Sequence, residues 1–335
     1  MHYRGLKVLV TGADGFIGSH LVEALVGQGA QVTALCLYNS FDMHGWLDDV
    51  PAPVRSGLRL VRGDIRDGAF VRRVVAGQEV IFHLAALIAI PHSYASPQSF
   101  VDTNVVGTLN VLEACRESGI GRMVHTSTSE VYGSAITVPI REAHPLQGQS
   151  PYSASKIGAD MMAEAFSRSF GLPVAILRPF NTFGPRQSER AVIGSTIRQI
   201  LDPRCASVRL GSLETVRDFT YVEDTVAAFL AIGSAAAIKL GSPYNAGSGK
   251  AVTVGELVDV LFGITACTKP VEREASRLRP VNSEVMALLA DSSRLAADAG
   301  WAPRINLRDG LARTVEWWKE RLALGHVRRE ASVIT

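Results

Sequence analysis

The chain has 335 residues, of which 47% are hydrophobic and 20% charged, the balance of an ordinary globular protein and not of a disordered or fibrous one. Its net charge of +2 is too small to argue for nucleic acid or an anionic membrane as partner. The length suits one large α/β unit, or a domain with a smaller companion.

Four cysteines, Cys36, Cys115, Cys205 and Cys267, are far apart and match no zinc or redox spacing, so reduced thiols are expected, with neither a disulfide framework nor a metal. Lys7-Val8-Leu9-Val10 runs straight into a glycine loop, which is not the pattern of a secretory signal. The longest apolar stretch, Val226 to Ile238, contains Gly233 and Ser234 and is too short to cross a bilayer. A cytoplasmic location without membrane attachment is the expectation.

In chain order, Leu6 to Thr11 reads as a short strand ending at glycines, and Ser19 to Gln28 as a helix stopped by Gly29. Strands follow at Gln31 to Tyr38, Leu58 to Arg62, Val80 to Leu84 and Arg122 to Ser127, with helices over Ala69 to Ala76 and Phe100 to Ser118. Strands this apolar, separated by helices, predict a parallel sheet covered on both faces, a doubly wound (Rossmann-like) α/β fold. After about residue 180 the alternation loosens, and Pro185, Pro203, Pro243, Pro270, Pro280 and Pro303 break the chain into short pieces. The expected organisation is a dinucleotide-binding domain over 1–180 with a return segment near 217–248. A smaller, discontinuous substrate domain over 181–325 completes it, followed by a tail over 326–335.

Gly12, Gly15 and Gly18 lie in Thr11-Gly12-Ala13-Asp14-Gly15-Phe16-Ile17-Gly18, between the first strand and the first helix. Glycines there permit a tight turn and close approach to a pyrophosphate, which the helix N-terminus favours. The second strand ends in Leu35-Cys36-Leu37-Tyr38-Asn39-Ser40. This segment offers neither an arginine for a 2′-phosphate nor a carboxylate for the ribose diol, and Cys36 falls about where that carboxylate is expected. Lack of an arginine favours NAD. Asp64, followed by Ile65 after the third strand, is placed to meet the adenine.

Pro151-Tyr152-Ser153-Ala154-Ser155-Lys156 opens a helix, putting Tyr152 and Lys156 one turn apart on the same face. A nearby ammonium and a cationic cofactor ring are expected to bring the phenol toward working pH, so that it accepts a proton from a sugar hydroxyl. Another apolar strand ends in Thr126-Ser127-Thr128-Ser129-Glu130. Thr128 is placed to support Tyr152, and Glu130 adds a carboxylate that plain hydride transfer does not need.

These segments, with Phe82-His83-Leu84-Ala85-Ala86, Asn104, Arg178-Pro179-Phe180-Asn181 and Arg217-Asp218-Phe219, resemble the extended short-chain dehydrogenase/reductases of the nucleotide-sugar epimerase/dehydratase family over residues 5 to about 320. The resemblance implies that Leu84, Ala85, Ala86 and Pro179 touch the cofactor, and that Asn181, Val192, Arg217 and Arg279 hold the nucleotide diphosphate. It also implies a homodimer through the helices near Phe100 to Ser118 and Tyr152 to Phe170. Thr128-Ser129-Glu130 is similar to the 4,6-dehydratases of the GDP-mannose type, with Ser129 where other dehydratases carry an aspartate. Tyr38-Asn39-Ser40-Phe41, Gly45-Trp46-Leu47 and Leu278 to Val285 resemble the dehydratases of the legionaminic acid pathway type, which act on a nucleotide-linked N-acetylglucosamine.

The activity so implied is NAD-dependent 4,6-dehydration of a UDP- or GDP-linked hexose, with Thr128, Glu130, Tyr152 and Lys156 as the catalytic set. The alternatives are a nucleotide-hexuronate decarboxylase, a 4-epimerase, which has no use for Glu130, and a non-catalytic NAD-binding sensor.

Overall fold

The computed structural model describes residues 3–277 and 285–326. The first half carries β1 (Lys7–Thr11), α1 (Phe16–Gly27), β2 (Gln31–Leu37), α2 (Ala52–Ser56), β3 (Leu58–Gly63), α3 (Gly68–Val75), β4 (Val80–His83), α4 (Ile90–Ala95), α5 (Pro97–Phe100), α6 (Gly107–Ser118), β5 (Arg122–Thr126), α7 (Pro151–Phe170) and β6 (Val174–Pro179). Beyond it run β7 (Asn181–Phe183), α8 (Val192–Leu201), β8 (Val208–Leu210), β9 (Val216–Tyr221), α9 (Val222–Ser234), β10 (Pro243–Ala246), β11 (Ala251–Thr253), α10 (Val254–Thr265), β12 (Val271–Arg273), α11 (Ser293–Ala299) and α12 (Leu307–Ala323).

Seven strands form one sheet in the order β10-β6-β5-β4-β1-β2-β3, every neighbouring pair parallel. This is the doubly wound fold read from the sequence. Alternate side chains explain why its strands are apolar throughout. Val8, Val10, Phe82, Val124 and Leu177 join a core with α1 and α9 on one face. Leu9, Ile81, Met123 and Ile176 join a core with α3, α6 and α7 on the other. The later strands make a small sheet in the order β11-β9-β7 and a pair β12-β8. Among the described residues no helix is long and apolar enough to cross a membrane; Val226 to Ile238 lies mostly in α9.

Two differences from the sequence reading matter for the site. Beyond the strand read at Arg122 to Ser127 the sheet adds β6 and, from within the expected return segment, β10. The single helix expected over Phe100 to Ser118 instead opens with a π-helical turn, Val101–Val106, before α6. Asn104 in that turn accepts from the Leu87 amide at 2.8 Å and donates to the Leu87 carbonyl and to Ser155, both at 2.9 Å. One side chain thereby ties the loop after β4 to α7.

Candidate active site

The glycine loop is shaped by contact with β4. Gly12 has φ +67°, and a Cβ there would meet the Ala85 amide nitrogen at 2.7 Å; on Gly18 it would meet the Gly12 carbonyl at 2.1 Å. Any larger residue forces β1, α1 and the segment Leu84 to Ala86 apart. α1 begins with no side-chain cap and no acidic residue in its first turn. Its leading amides, at Phe16 and Ile17, therefore suit an anion at an exposed Gly15, and this donor set fits the pyrophosphate of a dinucleotide. Leu84 and Ala85 spend their own amides on the Thr11 carbonyl (3.1 Å) and hydroxyl (3.1 Å).

At the second strand the structure revises the expected position. Cys36 is 1% exposed and faces the core, because β2 continues to Leu37 and the strand ends against Tyr38. Asp64 lies at the end of β3 but is gripped by Arg66, whose Nε reaches both carboxylate oxygens at 3.0 and 2.9 Å. That side-chain pairing holds its carboxyl below the usual range. Ile65 is buried against Gly107 at the head of α6.

The four residues expected to be catalytic gather at the ends of β5 and α7. Ser150 and Ser153 form a reciprocal cap, with Pro151 in the first turn, and this starts α7 so that Tyr152 and Lys156 point back toward β5. Thr128 caps a short 3₁₀ turn, Ser129–Tyr132, its hydroxyl accepting the Glu130 amide at 3.2 Å, and the same hydroxyl bonds the Tyr152 phenol. Lys156 donates to the Thr126 carbonyl at 2.6 Å. Thr128, Glu130, Tyr152 and Lys156 are thus brought together; Ser129 is buried.

The electrostatics differ from the simple expectation. Burial pushes the phenol well above its ordinary value; the Thr128 hydrogen bond opposes this, but the charges of Glu130 and Asp160 add to it. Burial also lowers Lys156 from 10.5 to about 8, against the Asp160 charge. The protein alone therefore favours the protonated phenol.

Lys156 carries a testable signature. Because its pKa is depressed on folding, its cost to stability is full below about pH 8 and is relieved as pH rises toward 10.5. The gap amounts to on the order of 3 kcal/mol. In urea titrations, the stability of wild type relative to Lys156→Met should rise between pH 7 and 9.5; a constant difference would show that the ammonium is not desolvated.

Beneath this set lies a buried group absent from the sequence reading. Asp160, one turn beyond Lys156, bonds His125 (3.2 Å), Ser127 (2.7 Å) and both Nε and Nη2 of Arg178 (3.1 and 2.9 Å). Burial pushes its carboxyl up, but His125, Arg178 and Ser127 together bring it down to about 2. Arg178 passes on to the Tyr132 phenol (3.0 Å), which donates to Asn245 of β10 (2.7 Å). The signal was available as a carboxylate one turn after the lysine.

At the opposite side, Asn181 pairs with Phe219 across β7 and β9, so Arg217 sits two residues away on the neighbouring strand. The Asn181 side-chain nitrogen is buried without a hydrogen-bond partner, as suits a residue awaiting a polar ligand. Arg217 is 7% exposed, and Val192 is the first residue of α8, whose start has no side-chain cap. Asp218 is structural: it accepts the amides of Ser248, Gly249 and Ala290 at 2.7, 2.9 and 3.1 Å. Pro179 ends β6, buried, in register with Ala246. Arg279 lies outside the described residues.

Residues 9–314 match the family model described as GDP-mannose 4,6 dehydratase. The chain is 34% identical over 320 residues to a dTDP-glucose 4,6-dehydratase of Actinoplanes sp., covering 94% of this chain and 98% of that one. Among solved structures it is similar to a UDP-N-acetylglucosamine 4-epimerase from Methanobrevibacter ruminantium (TM-score 0.86, 30% identity, 95% of this chain and 99% of that). It is also similar to DesIV, a dTDP-glucose 4,6-dehydratase from Streptomyces venezuelae with NAD bound (TM-score 0.85, 32% identity, 95% and 98%). A family match over nearly the whole length, on a doubly wound fold with the Thr128, Glu130, Tyr152 and Lys156 side chains assembled, is decisive: the chain belongs to the GDP-mannose 4,6-dehydratase family of extended short-chain dehydrogenase/reductases.

Proposed function

We propose that the chain is an NAD-dependent 4,6-dehydratase that converts an N-acetylglucosamine carried on UDP or GDP to its 4-keto-6-deoxy form. The observation that carries this reading is Glu130, whose carboxylate lies near enough to the Tyr152 phenol to raise its pKa. Oxidation alone gains nothing from a carboxylate that opposes its own base. A step that follows oxidation does.

In this reading Gly12, Gly15, Phe16, Ile17 and Gly18 cradle the dinucleotide, with Asp64 and Ile65 toward its adenine and Leu84, Ala85, Ala86 and Pro179 toward its nicotinamide. Bound NAD would supply the acceptor for the C4 hydrogen and the hydride that comes back at C6, while C5 recovers a proton exchanged with solvent. Tyr152, supported by Thr128, takes the C4 hydroxyl proton. The resulting ketone acidifies the C5 hydrogen, which Glu130 removes, and the same carboxyl delivers a proton to the departing C6 hydroxyl. Lys156 holds its position through the Thr126 carbonyl and presents a cation beneath the site. Asn181, Val192, Arg217 and Arg279 hold the diphosphate, the arginines by forked donation to its oxygens.

The hexosamine draws support from the likeness to a UDP-N-acetylglucosamine 4-epimerase. The same likeness makes 4-epimerisation the second reading. Incubation with UDP- and GDP-N-acetylglucosamine followed by mass spectrometry separates them. Loss of one water supports the dehydratase, whereas unchanged mass with a new isomer replaces it by the epimerase.

A homodimer belongs to this reading too. Val101, Val106, Met161 and Phe170, on the π turn and α7, are all 41–53% exposed, an apolar set that a second copy would cover. Light scattering should give twice the chain mass for wild type and a shift toward monomer for Met161→Glu; a monomeric wild type would refute it.

A further inference from the structure

We infer that Asp14, inside the glycine loop, is the carboxylate that holds the adenosine ribose diol and sets the preference for NAD over NADP. This rests on the dinucleotide reading above and says which residue of the chain makes that choice.

In doubly wound folds the diol is met by a carboxylate at the end of the second strand, next to the glycine loop. Here that strand ends in Leu37 and Tyr38, without one. The structure brings a carboxylate to the same place from the other side. Asp14 Oδ2 accepts the Leu37 amide at 3.3 Å, pinning the side chain across the tip of β2. Its backbone is held equally firmly: the Asp14 carbonyl accepts the Trp46 amide at 3.0 Å. Gly45, at φ +56°, has no room for a Cβ, which would meet that carbonyl at 2.6 Å. Asp14 stands one residue before Gly15, where the first turn of α1 offers its amides, so a dinucleotide lying on those amides passes its ribose beside this carboxylate.

The surrounding charges are consistent with a diol and not with a phosphate. At Cys36 burial pushes the thiol up most, Asp14 and Asp48 add to it, and Arg62 opposes. Arg62, paired with Cys36 across β2 and β3, is ion-paired to Asp42. Arg55 is likewise bound to Asp48, at 3.0 Å. His44 is engaged by Asp48 at 3.2 Å. The nearby cations are thus already matched by carboxylates, and a 2′-phosphate would meet Asp14 as a like charge.

The test is equilibrium binding to the full-length protein, measured by calorimetry. Wild type should bind NAD at least about tenfold more tightly than NADP, and should lose about 10- to 100-fold on NAD lacking the adenosine 2′-hydroxyl, the scale of hydrogen bonds to a charged group. Asp14→Asn retains an oxygen for the Leu37 amide but not the charge. It should weaken NAD while holding or improving NADP, and Asp14→Ala should no longer distinguish NAD from its 2′-deoxy analogue. Equal losses for NAD and NADP in both variants would make Asp14 only a loop staple and overturn the inference. So would a wild type indifferent to the 2′-hydroxyl, a measurement that needs no variant to fold. Failure of wild type to bind either dinucleotide would instead overturn the cofactor reading and this one with it.

Discussion

On mixing with nucleotide sugar, Glu130→Gln is expected to develop an NADH absorbance that persists while no 6-deoxy product appears. The C5 hydrogen of the unoxidised sugar is too weakly acidic to remove, so the carboxylate has nothing to do until the 4-ketone exists. Glutamine keeps the length and hydrogen-bonding capacity of the side chain but cannot accept that proton. Loss of a positioned base costs about 100- to 10,000-fold, and here the same carboxyl also serves the departing water, so dehydration should fall toward the upper end. The first oxidation should not suffer. Glu130 raises the Tyr152 phenol, and removing its charge eases deprotonation. Wild type should incorporate solvent deuterium at C5, and the variant little. Dehydration at the wild-type rate in Glu130→Gln would reduce Glu130 to a structural residue and remove the chief chemical argument for a dehydratase.

Tyr152→Phe should lose about 100- to 10,000-fold in turnover through loss of the proton acceptor, with dinucleotide affinity nearly unchanged. The ring has reason to stay in place, because it packs edge-on against Phe100 with centroids 6.3 Å apart, a contact that does not use the hydroxyl. Burial favours the change if anything, since the phenol is a desolvated polar group. Stopped-flow spectra should show no early NADH, which distinguishes this variant from Glu130→Gln, where NADH accumulates. Turnover near wild type would take Tyr152 out of the mechanism.

The parts of this architecture legible in the sequence are those governed by local pattern. Continuous apolar runs gave β1 to β5, and Pro151 before Tyr152 marked the start of α7. β10 was read only as part of a return segment and not as a strand, because it is four residues long, begins with a proline and pairs with β6 across a long stretch of chain. The π turn at Val101–Val106 escaped because hydrophobic spacing does not record a ladder widened by one residue, while Asn104 makes contacts only folding can supply. Asp14 received no role of its own in the sequence reading, since nothing in the sequence says that its side chain crosses to Leu37. Cys36 fell at the diol position by counting, but its place along β2 turns it into the core. The direction of the Tyr152 shift could not be counted at all: burial sets it, and the charges of Glu130 and Asp160 add to it.

The path of the chain between the two sheets sets how the halves can move. After β6 the polypeptide leaves the large sheet for β7, returns through α9 to β10, then departs again into β11. Segment 285–290 comes back to meet both sides, bridging Ala287 to Val216 and Ala290 to Ile140. The two lobes are therefore sewn together by several strands of chain, not hung on one linker. Any displacement of the small sheet against the large one must bend all these crossings at once. For the same reason neither lobe exists as one uninterrupted length of sequence, so an exchange of nucleotide-binding parts between relatives must splice at several points.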